Sequence, residues 1–219
     1  MNCLICDIAI LYRPSWRSLF LNDAETVVCA SCKRKFERID GAVCGKCGLP
    51  GEEMCGDCRH WETTEFAGLI ESGSSLFQYN DAMQAFLHQY KFLQDVALAH
   101  VFGEDLKTAF RKSENVLVPI PMNSKKLKER TFPQVDRLLD AAGLTYSHFL
   151  IKSEDVQGTK TKAERMAAKN LFAWNGEKVP KKIVLVDDLY TTGTTMRQAA
   201  KAMKDAGTEE IRFLTLIRG

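Results

Sequence analysis

Long apolar runs, an export signal and a strong net charge are all missing from this 219-residue chain. No apolar stretch approaches the roughly 18 residues that a membrane span requires. The N-terminal segment MNCLICDIAILYR has no basic residues before its apolar part, as an export signal would have. We therefore expect a cytoplasmic protein without membrane insertion. The formal net charge of +2 gives no general attraction to nucleic acid, so such binding would require a local basic patch.

Two common phosphate-binding motifs are absent as well. Neither the GxxxxGK loop of nucleoside triphosphatases nor the GxGxxG turn of dinucleotide-binding domains occurs. Apolar residues make up 45% of the chain, which excludes a disordered or collagen-like protein. The length and this apolar content suit one α/β domain together with a small additional module.

Cysteine is confined to the first 58 residues, where all eight copies form Cys-x-x-Cys pairs. The pairs are Cys3 and Cys6, Cys29 and Cys32, Cys44 and Cys47, and Cys55 and Cys58. Disulfides need an oxidising compartment, which no export signal supports, whereas two thiolates of one pair can reach a single tetrahedral ion. We predict two structural zinc ions with four thiolates each. Sequential grouping of the pairs is favoured, and an interleaved cross-brace is the alternative.

The chain divides at the end of this cysteine-rich part. Residues 1–62 have few large apolar residues at regular spacing, so metal must supply much of their stability. We predict that they form a zinc-binding module, and that chelation unfolds it while the later domain stays folded. Residues 66–219 have a different pattern of apolar residues and are predicted to form a second, larger domain.

Strands and helices alternate along this second domain. Helices are predicted from Asp81, Val96, Pro133 and Met196, and strands at SSLFQYN, VLVPI, KKIVLVDD and IRFLTLIR. The first helix has apolar residues at i, i+3, i+4 and i+7, namely Met83, Phe86, Leu87 and Tyr90. The four consecutive apolar residues of KKIVLVDD are typical of a strand covered on both faces. This alternation predicts an α/β fold with a mainly parallel sheet and helices on its faces.

The most specific segment is IVLVDDLYTTGTTM, in which a strand ends in two acids and a Thr/Gly-rich loop opens a helix. Backbone N–H groups at such a helix start converge on one point and bind a phosphate dianion. Threonine hydroxyls add donors, and the preceding carboxylates can accept hydrogen bonds from ribose hydroxyls. The candidate ligand-binding residues are Asp187, Asp188, Tyr190, Thr191, Thr192, Gly193, Thr194 and Thr195. The alternative is that these polar groups only cap the helix.

These residues resemble the phosphoribosyl pyrophosphate signature of type I phosphoribosyltransferases, two acids followed by TTG(T/A)T. Over its whole length the chain resembles the competence protein ComF family, in its ComFC- or GntX-like form. Further pieces that carry this resemblance are YN-x-x-M with QYKF, VPIPM, KERTFPQ, and Gln157 eight residues before Arg165. The family usually reads ERGFNQ at 129–134, where this chain has ERTFPQ and so lacks the glycine.

The resemblance implies a type I phosphoribosyltransferase fold, which is Rossmann-like, and a ligand of phosphoribosyl pyrophosphate with Mg²⁺. It places Pro121 and Met122 in a pyrophosphate loop and Arg130 in a flexible loop. It also implies a role in natural transformation, with single-stranded DNA and a ComFA-like DNA helicase as partners. Lys91, in the QYKF segment, is a candidate for contact with a ligand phosphate, and a solvated lysine is the alternative.

Two basic stretches are candidates for DNA contact, because each neutralised phosphate adds salt-sensitive affinity. They are Lys125, Lys126, Lys128 and Arg130 in the first stretch, and Lys160, Lys162 and Arg165 in the second. Phe132, expected in a loop, is the aromatic residue best placed to stack on an unpaired base. The alternative is a solvated surface, because acidic residues are interleaved with the basic ones.

Two functions remain as alternatives at this level. In the first, the chain is a binding protein for DNA uptake that retains the ligand pocket of a phosphoribosyltransferase. In the second, it is an active phosphoribosyltransferase, in which an acceptor displaces pyrophosphate from C1′ and the protein mainly positions charge. The sequence leaves the acceptor and the oligomeric state open, a homo-oligomer included.

Overall fold

The computed structural model describes residues 1–11, 26–152 and 171–219. Its helices are α1 (Ala30–Lys33), α2 (Gly56–Trp61), α3 (Asp81–Phe92), α4 (Gly103–Phe110), α5 (Ser124–Arg130), α6 (Gln134–Ala141) and α7 (Thr194–Asp205), and a 3-10 helix (Val96–Phe102) leads into α4. Its strands are β1 (Ser72–Gln78), β2 (Val116–Pro119), β3 (Leu150–Lys152), β4 (Phe172–Trp174), β5 (Lys182–Tyr190) and β6 (Glu210–Arg218). None of the helices in these ranges has both the length and the apolar character needed to cross a membrane.

Four strands form one parallel sheet in the order β1-β6-β5-β2. All four residues from Ile183 to Val186 of β5 are buried, as their unbroken apolar run predicts. Parallel neighbours need long crossovers, which the intervening helices provide. The predicted α/β fold with a mainly parallel sheet is therefore confirmed. The antiparallel pair β3 and β4, with three residues in each strand, lies apart from this sheet.

Helix α3 shows how the core forms on one face of the sheet. Its N-cap Asn80 accepts a hydrogen bond from the backbone N–H of Met83 at 3.0 Å, which fixes the helix start. The predicted face is buried throughout, at Met83, Phe86, Leu87 and Tyr90. Burial stabilises the fold by about 1.5–3 kcal/mol for each such large side chain. The predicted helix at Val96 begins instead as a 3-10 helix, and only Gly103–Phe110 is α-helical.

The strands of the parallel sheet end at a common edge. β2 and β5 are neighbours, and Pro119 at the end of β2 pairs with Val186 of β5. The segment that follows β2 and the loop that joins β5 to α7 therefore leave the sheet on the same side. In open α/β sheets, ligands bind at this carboxyl edge.

The second cysteine group is part of the core on the other face of the sheet. Its members, all buried, are Cys44, Cys47, Cys55 and Cys58. They share a hydrophobic cluster with Leu185, Met196 and Phe213, while the neighbouring strand positions contribute to the cluster around α3. This packing does not support the expectation that chelation leaves the later domain folded. The domain limits at 62 and 66 stay a prediction.

The first cysteine group lies nearer the surface. Its members are Cys3 and Cys32, which are buried, Cys29, which is half-buried, and Cys6, which is exposed. The chain beyond α1 attaches to the edge strand β1, where the backbone N–H of Ile39 donates to the Leu76 carbonyl at 3.0 Å. Arg38 adds an ion pair with Asp105. This group is therefore joined to the domain at a sheet edge and also through Leu4 and Ile5, which pack against the core around α3.

Candidate ligand pocket and metal sites

A pocket of about 600 Å³ opens at the carboxyl edge of the sheet. It is lined by Lys91 of α3, residues 120–123 after β2, Lys126, Leu127 and Arg130 of α5, residues 133–136, His148, Lys152, Leu171, Asp187 and Asp188 of β5, and Thr195 of α7. The candidates from the sequence that meet here are Lys91, Pro121, Met122, Lys126, Arg130, Asp187, Asp188 and Thr195. Segments far apart in the chain thus form one cavity.

Lys91 and Asp188 form an ion pair on the wall of this pocket. The Lys91 Nζ lies 2.7 Å from Oδ2 of Asp188, and the two side chains are only 12% and 10% exposed. Lys91 stands in the last turn of α3, so the helix end directs its ammonium group towards β5. The alternative that Lys91 is merely solvated is therefore wrong.

Asp187, beside this pair, has a strongly perturbed carboxyl group. Burial, and then the charge of Asp188, raise the pKa of Asp187 from 3.8 to about 7, although Lys91 opposes the shift. Its Oδ1 accepts a hydrogen bond from the backbone N–H of Asp188 at 2.9 Å. Asp187 is therefore poised to exchange a proton near neutral pH. The two carboxylates together offer the oxygen ligands that a hard cation such as Mg²⁺ prefers.

The loop between β5 and α7 presents several hydrogen-bond donors. In the described part of the chain, nothing accepts a hydrogen bond from the backbone N–H groups of Thr191, Thr192 and Gly193. The first N–H groups of α7, which begins at Thr194, have no partner within the helix either. The hydroxyls of Thr192 and Thr194 lie 3.0 Å apart. These donors stand at the positive end of a 12-residue helix, as an anion site requires.

Gly193 and Tyr190 determine how this loop packs on the core. Gly193 is left-handed at φ 82°, and a Cβ there would overlap the Tyr190 hydroxyl and an Arg197 nitrogen. The Tyr190 ring is buried and stacks on Phe213 with centroids 5.0 Å apart. The side chain of Tyr190 is therefore a core group rather than a wall of the pocket. The absence of a side chain at position 193 lets the loop rest directly on it.

The KERTFPQ segment, expected in a flexible loop, is helical as far as Arg130 and then turns sharply. Thr131 makes the turn with a left-handed backbone at φ 65°. β-Branched residues seldom adopt this conformation, and glycine adopts it without strain. The resembled family usually has glycine here, so this chain keeps a turn of the glycine type at a local cost of about 1–2 kcal/mol.

Phe132 follows this turn and is directed into the core. It is 4% exposed, and its ring centroid lies 5.2 Å from that of Tyr90. The prediction of an exposed stacking aromatic at Phe132 is therefore wrong, because the turn at Thr131 reverses the side-chain direction. Phe92, the last residue of α3, is 64% exposed, and the Arg130 guanidinium lies 5.6 Å from its ring centroid. An exposed aromatic residue therefore lies beside Arg130 of the pocket, but it is Phe92 and not Phe132.

Gln134 is a buried pocket residue for which the KERTFPQ segment indicated no role of its own. Its Oε1 accepts a hydrogen bond from Arg130 at 2.6 Å, and its backbone carbonyl accepts one from the Tyr90 hydroxyl at 2.7 Å. Its Nε2 is buried without a hydrogen-bond partner in the described ranges. Leaving such a donor unpaired costs about 1–3 kcal/mol. The Gln134 side chain therefore holds Arg130 in the pocket wall through its Oε1, while its Nε2 is not exposed to the cavity.

The basic residues of helix α5 lie on two different faces of the helix. Lys126 and Arg130, four residues apart and hence on one helix face, line the pocket. Lys125 and Lys128 are exposed and do not line it. The second basic stretch, with Lys160, Lys162 and Arg165, lies outside the described residues.

His148 and Asp136 form a pair on the pocket wall that the sequence did not reveal. The His148 Nε2 lies 3.2 Å from the Asp136 Oδ2. Burial raises the pKa of Asp136, and His148 opposes this shift. Neither residue belongs to a recognisable motif, so only the fold brings them together. The pair can carry a proton at the rim of the cavity.

The eight thiols converge in two groups, and within each group all Sγ atoms lie within 4.8 Å of one another. One group contains Cys3, Cys6, Cys29 and Cys32, and the other Cys44, Cys47, Cys55 and Cys58. This is the sequential grouping that the spacing favoured. The Cys6 and Cys29 sulfurs are 3.8 Å apart, and those of Cys47 and Cys55 are 3.6 Å apart. A tetrahedron with metal–sulfur bonds of ~2.3 Å has edges of about 3.8 Å, so both groups fit zinc.

The surroundings of the sulfurs also favour a cation. Backbone N–H groups of Cys29 and Cys55 donate to the Sγ atoms of Cys3 and Cys44, at 3.3 and 3.4 Å. Burial raises the pKa of the Cys47 thiol to about 11, so this thiol loses its proton near neutral pH only if a positive ion is bound beside it. A zinc ion held by all four sulfurs of one group would have no position left for water, as in structural rather than catalytic zinc sites.

Comparison with known proteins agrees with this geometry. Residues 90–219 match the phosphoribosyl transferase domain family. The chain is 34% identical to competence protein ComFC of Bacillus subtilis strain 168, over 99% of this chain and 94% of the relative. It is 34% identical to competence protein ComFC of Streptococcus pneumoniae over the full length of both chains. Competence protein F of Haemophilus influenzae is 26% identical, over 90% of this chain and 93% of the relative.

Proposed function

Because this chain belongs to the ComFC family of competence proteins and contains a phosphoribosyl transferase domain, we propose that its pocket binds phosphoribosyl pyrophosphate with Mg²⁺ in a protein that handles DNA during uptake. The choice of this ligand is supported by two kinds of group that lie at the same edge of the sheet. The carboxylates of Asp187 and Asp188 line the pocket together with Thr195, and the rest of the donor-rich loop, residues 191–194, lies between them in the chain without lining it. Together these groups suit a ribose that carries a 5-phosphate.

Each part of the ligand has a matching group in this proposal. The backbone N–H groups from Thr191 to Thr195 bind the 5-phosphate, because they lack partners and stand at a helix N-terminus. Asp187 and Asp188 accept hydrogen bonds from the ribose hydroxyls and supply oxygen ligands to Mg²⁺. Lys91 neutralises part of their charge.

The pyrophosphate end faces the other wall of the pocket. Pro121 and Met122 line that wall after β2, and Arg130 contributes a guanidinium group that can bind phosphate oxygens in a bidentate manner. Gln134 holds Arg130 in place, because its Oε1 accepts a hydrogen bond from the guanidinium group. This wall therefore presents a positive charge in a fixed position.

Calorimetry tests the ligand directly. We expect Asp188→Asn to weaken binding of phosphoribosyl pyrophosphate with Mg²⁺ at least about tenfold, which corresponds to about 1.4 kcal/mol. Asp205→Asn, at an exposed position in the last turn of α7, is the matched control and should bind like the wild type. Equal affinities in all three proteins would refute the assignment of the pocket.

The pH dependence of binding provides a second test of the same site. Asp187 binds Mg²⁺ and hydroxyl groups best as a carboxylate, but its pKa in the folded protein is about 7. Binding must therefore displace a proton below that pH, and affinity should rise between about pH 6 and pH 8. Calorimetry in buffers of different ionisation enthalpy measures the proton released. Asp187→Asn should abolish that part of the pH dependence.

The stability of the free protein should depend on pH in the opposite sense. The pKa of Asp187 is raised from 3.8 to about 7 on folding, so the folded state keeps a proton that the unfolded state has lost. This contribution to stability is fully present below about pH 4 and is lost as the pH rises through about 7.

For DNA, we propose that single-stranded DNA lies along the outer side of α5 and the end of α3. Lys125 and Lys128 are exposed there and do not line the pocket. Phe92 offers an exposed ring for base stacking, with Arg130 close to it. Lys160, Lys162 and Arg165 are further candidates from the sequence. A ComFA-like helicase as partner is carried over from the family resemblance alone.

Charge reversal separates DNA binding from ligand binding. The double variant K125E/K128E should weaken single-strand binding and reduce the slope of log affinity against log salt by about one to two. Its affinity for phosphoribosyl pyrophosphate should stay unchanged. K107E/K112E, with two exposed lysines on and just after α4, is the control. An unchanged slope in K125E/K128E would remove this surface from the proposal.

The second candidate function is an active phosphoribosyltransferase. The pair of His148 and Asp136 favours it, because a paired imidazole on the pocket wall can accept the proton that an acceptor loses. In the reaction, the bond between C1′ and the pyrophosphate oxygen breaks, pyrophosphate leaves with the electron pair, and the acceptor binds C1′. Pyrophosphate release across a panel of bases, with and without single-stranded DNA, tests this activity. Release that depends on one acceptor would establish it.

A further inference from the structure

Arg197 of α7 connects the second cysteine group to the loop that starts this helix. The side chain of Arg197 is buried, with the whole residue only 3% exposed. One guanidinium nitrogen donates to the Tyr190 hydroxyl at 2.8 Å, and the other donates to the Cys58 sulfur at 3.5 Å. Its backbone N–H donates to the carbonyl of Gly193 at 3.0 Å. A single residue thus contacts a metal ligand, the end of β5 and the loop.

The guanidinium group of Arg197 has a sulfur atom, and not a carboxylate, beside it. No carboxylate in the described ranges lies within ion-pair distance of its guanidinium group. A buried cation without a counter-charge is strongly unfavourable. Four thiolates around a zinc ion carry a formal charge of roughly −2, which supplies the missing partner. The position of Arg197 is therefore explained by a metal-bound second group.

Trp61 forms a second link between the same two regions. It stands at the end of α2, three residues after Cys58. Its indole N–H donates to the backbone carbonyl of Thr192 at 2.9 Å, and the Arg197 guanidinium lies 4.8 Å from its ring centroid. Because this bond fixes the carbonyl of Thr192, it also fixes the direction of the next peptide N–H, that of Gly193.

Gly193 shows that the contact is close. The loop lies on Tyr190 and Arg197 so tightly that no Cβ fits at position 193. Binding of a phosphate by main-chain N–H groups depends on their direction, because side chains cannot compensate for a rotated peptide. The cysteine group, through Arg197 and Trp61, therefore touches the part of the loop whose orientation matters.

We propose that the second cysteine group, when it holds its metal, keeps the β5–α7 loop in its anion-binding conformation, with Arg197 and Trp61 as positioning residues. The proposal rests on the proposed function insofar as the anion is the 5-phosphate of phosphoribosyl pyrophosphate. Metal binding at this group and ligand binding in the pocket are then coupled, and each strengthens the other by the same factor. The first cysteine group has no such contact within the described residues.

Hydrogen exchange of α7 tests the link without any ligand. Trp61→Phe keeps the ring and removes only the N–H donor, so we expect the first turns of α7 to exchange at least about five times faster. Trp174→Phe removes an indole N–H that donates to the backbone carbonyl of Glu177, at 2.7 Å, and not to the β5–α7 loop, so it should leave exchange in the first turns of α7 unchanged. Arg197→Met should accelerate exchange more than Arg197→Lys, which retains the charge. All variants should still contain two zinc ions per chain.

Calorimetry and zinc release test the coupling. Trp61→Phe should weaken phosphoribosyl pyrophosphate about fivefold or more, the lower end of typical coupling between sites, and Trp174→Phe should not. In the wild type, the ligand should slow the loss of one zinc ion to a chelator and leave the other unaffected.

The outcomes distinguish this proposal from the function on which it rests. Exchange in α7 that is the same in Trp61→Phe, Arg197→Met and the wild type would overturn the positioning role, whatever the ligand does. Faster exchange in these variants, combined with no heat of binding in the wild type, would instead sink the proposed ligand and leave the positioning role standing. Equal protection of both zinc ions by the ligand would contradict the coupling to the second group.

Discussion

The two cysteine groups use the same Cys-x-x-Cys pairs but occupy different environments. The first group has an exposed member, Cys6, and its buried cysteines belong to a small hydrophobic cluster, although Leu4 and Ile5 also pack against the core around α3. In the second group Cys44, Cys47 and Cys58 are completely buried, in a cluster with strand residues of the sheet. The same motif therefore forms a candidate metal site near the surface in one case and part of a domain core in the other. The spacing of ligands predicts a metal, and the surroundings determine what depends on that metal.

Loss of a ligand from each group provides the strongest test of this comparison. Cys58→Ser should prevent cooperative folding of the whole chain, because structural zinc contributes about 10–16 kcal/mol, as much as most domains have in total stability. Cys6→Ser should keep a cooperative thermal transition and lose about one zinc ion. Circular dichroism and metal analysis measure both effects. Similar losses of structure in the two variants would contradict the difference in roles.

Chelation of the native protein should separate the two groups in time. We expect the first zinc ion to leave at least about 100-fold faster than the second, because the second group opens only when the core opens. A colorimetric chelator records both phases. Urea should accelerate mainly the slow phase, since that opening exposes more surface. Two phases with the same urea dependence would place both groups in equally stable surroundings.

A pair of glycine substitutions measures how tightly the second group is docked. Gly48 and Gly41 both have left-handed backbones, at φ 72° and 86°. A Cβ at Gly48 would lie 3.0 Å from the Ser74 Cα, whereas nothing lies within 4 Å at Gly41. Gly41→Ala should cost about 1 kcal/mol from backbone strain, and Gly48→Ala about 2–4 kcal/mol because overpacking is added. Urea unfolding measures both losses of free energy. Equal losses would show that the turn at Gly48 is not tightly packed against Ser74.

The smallest effect is expected at the solvent side of the second group. Arg59 and Glu52 form an ion pair at 2.9 Å, with side chains 58% and 66% exposed. Glu52→Gln should change the free energy of unfolding by at most about 0.5 kcal/mol, because exposed pairs are screened by water. A loss well above about 1 kcal/mol in urea unfolding would mean that surface charge, and not burial, holds this group in place.

Regular patterns in the sequence predicted the scaffold well. The spacing of Met83, Phe86, Leu87 and Tyr90 located a buried helix face, and the run from Ile183 to Val186 located a central strand. Both signals are strong because burial on one face or on two faces constrains every residue in the segment. The sequential grouping of cysteines also followed from spacing.

Features that depend on tertiary contacts were missed. Phe132 was expected outside and lies inside, because one left-handed residue, Thr131, reverses the chain direction. The three-residue strands β3 and β4 are too short to show a period. No pattern in the sequence marks Arg197, and only the docked cysteine group reveals its partner. Trp61 could have been noticed in the sequence, because it is a large aromatic residue three positions after the last cysteine.

The place of β6 in the sheet has a consequence for synthesis of the protein. β6 lies between β1 and β5, so Ser75 of β1 contacts Thr215, 140 residues further along the chain. While the ribosome makes the intervening residues, β1 has emerged and has no neighbour in the sheet. Such an open strand edge invites wrong pairing. Correct pairing of β1 in the sheet therefore waits until β6 has been made, and the short segment around Ile39 on the outer edge of β1 covers only one side of it.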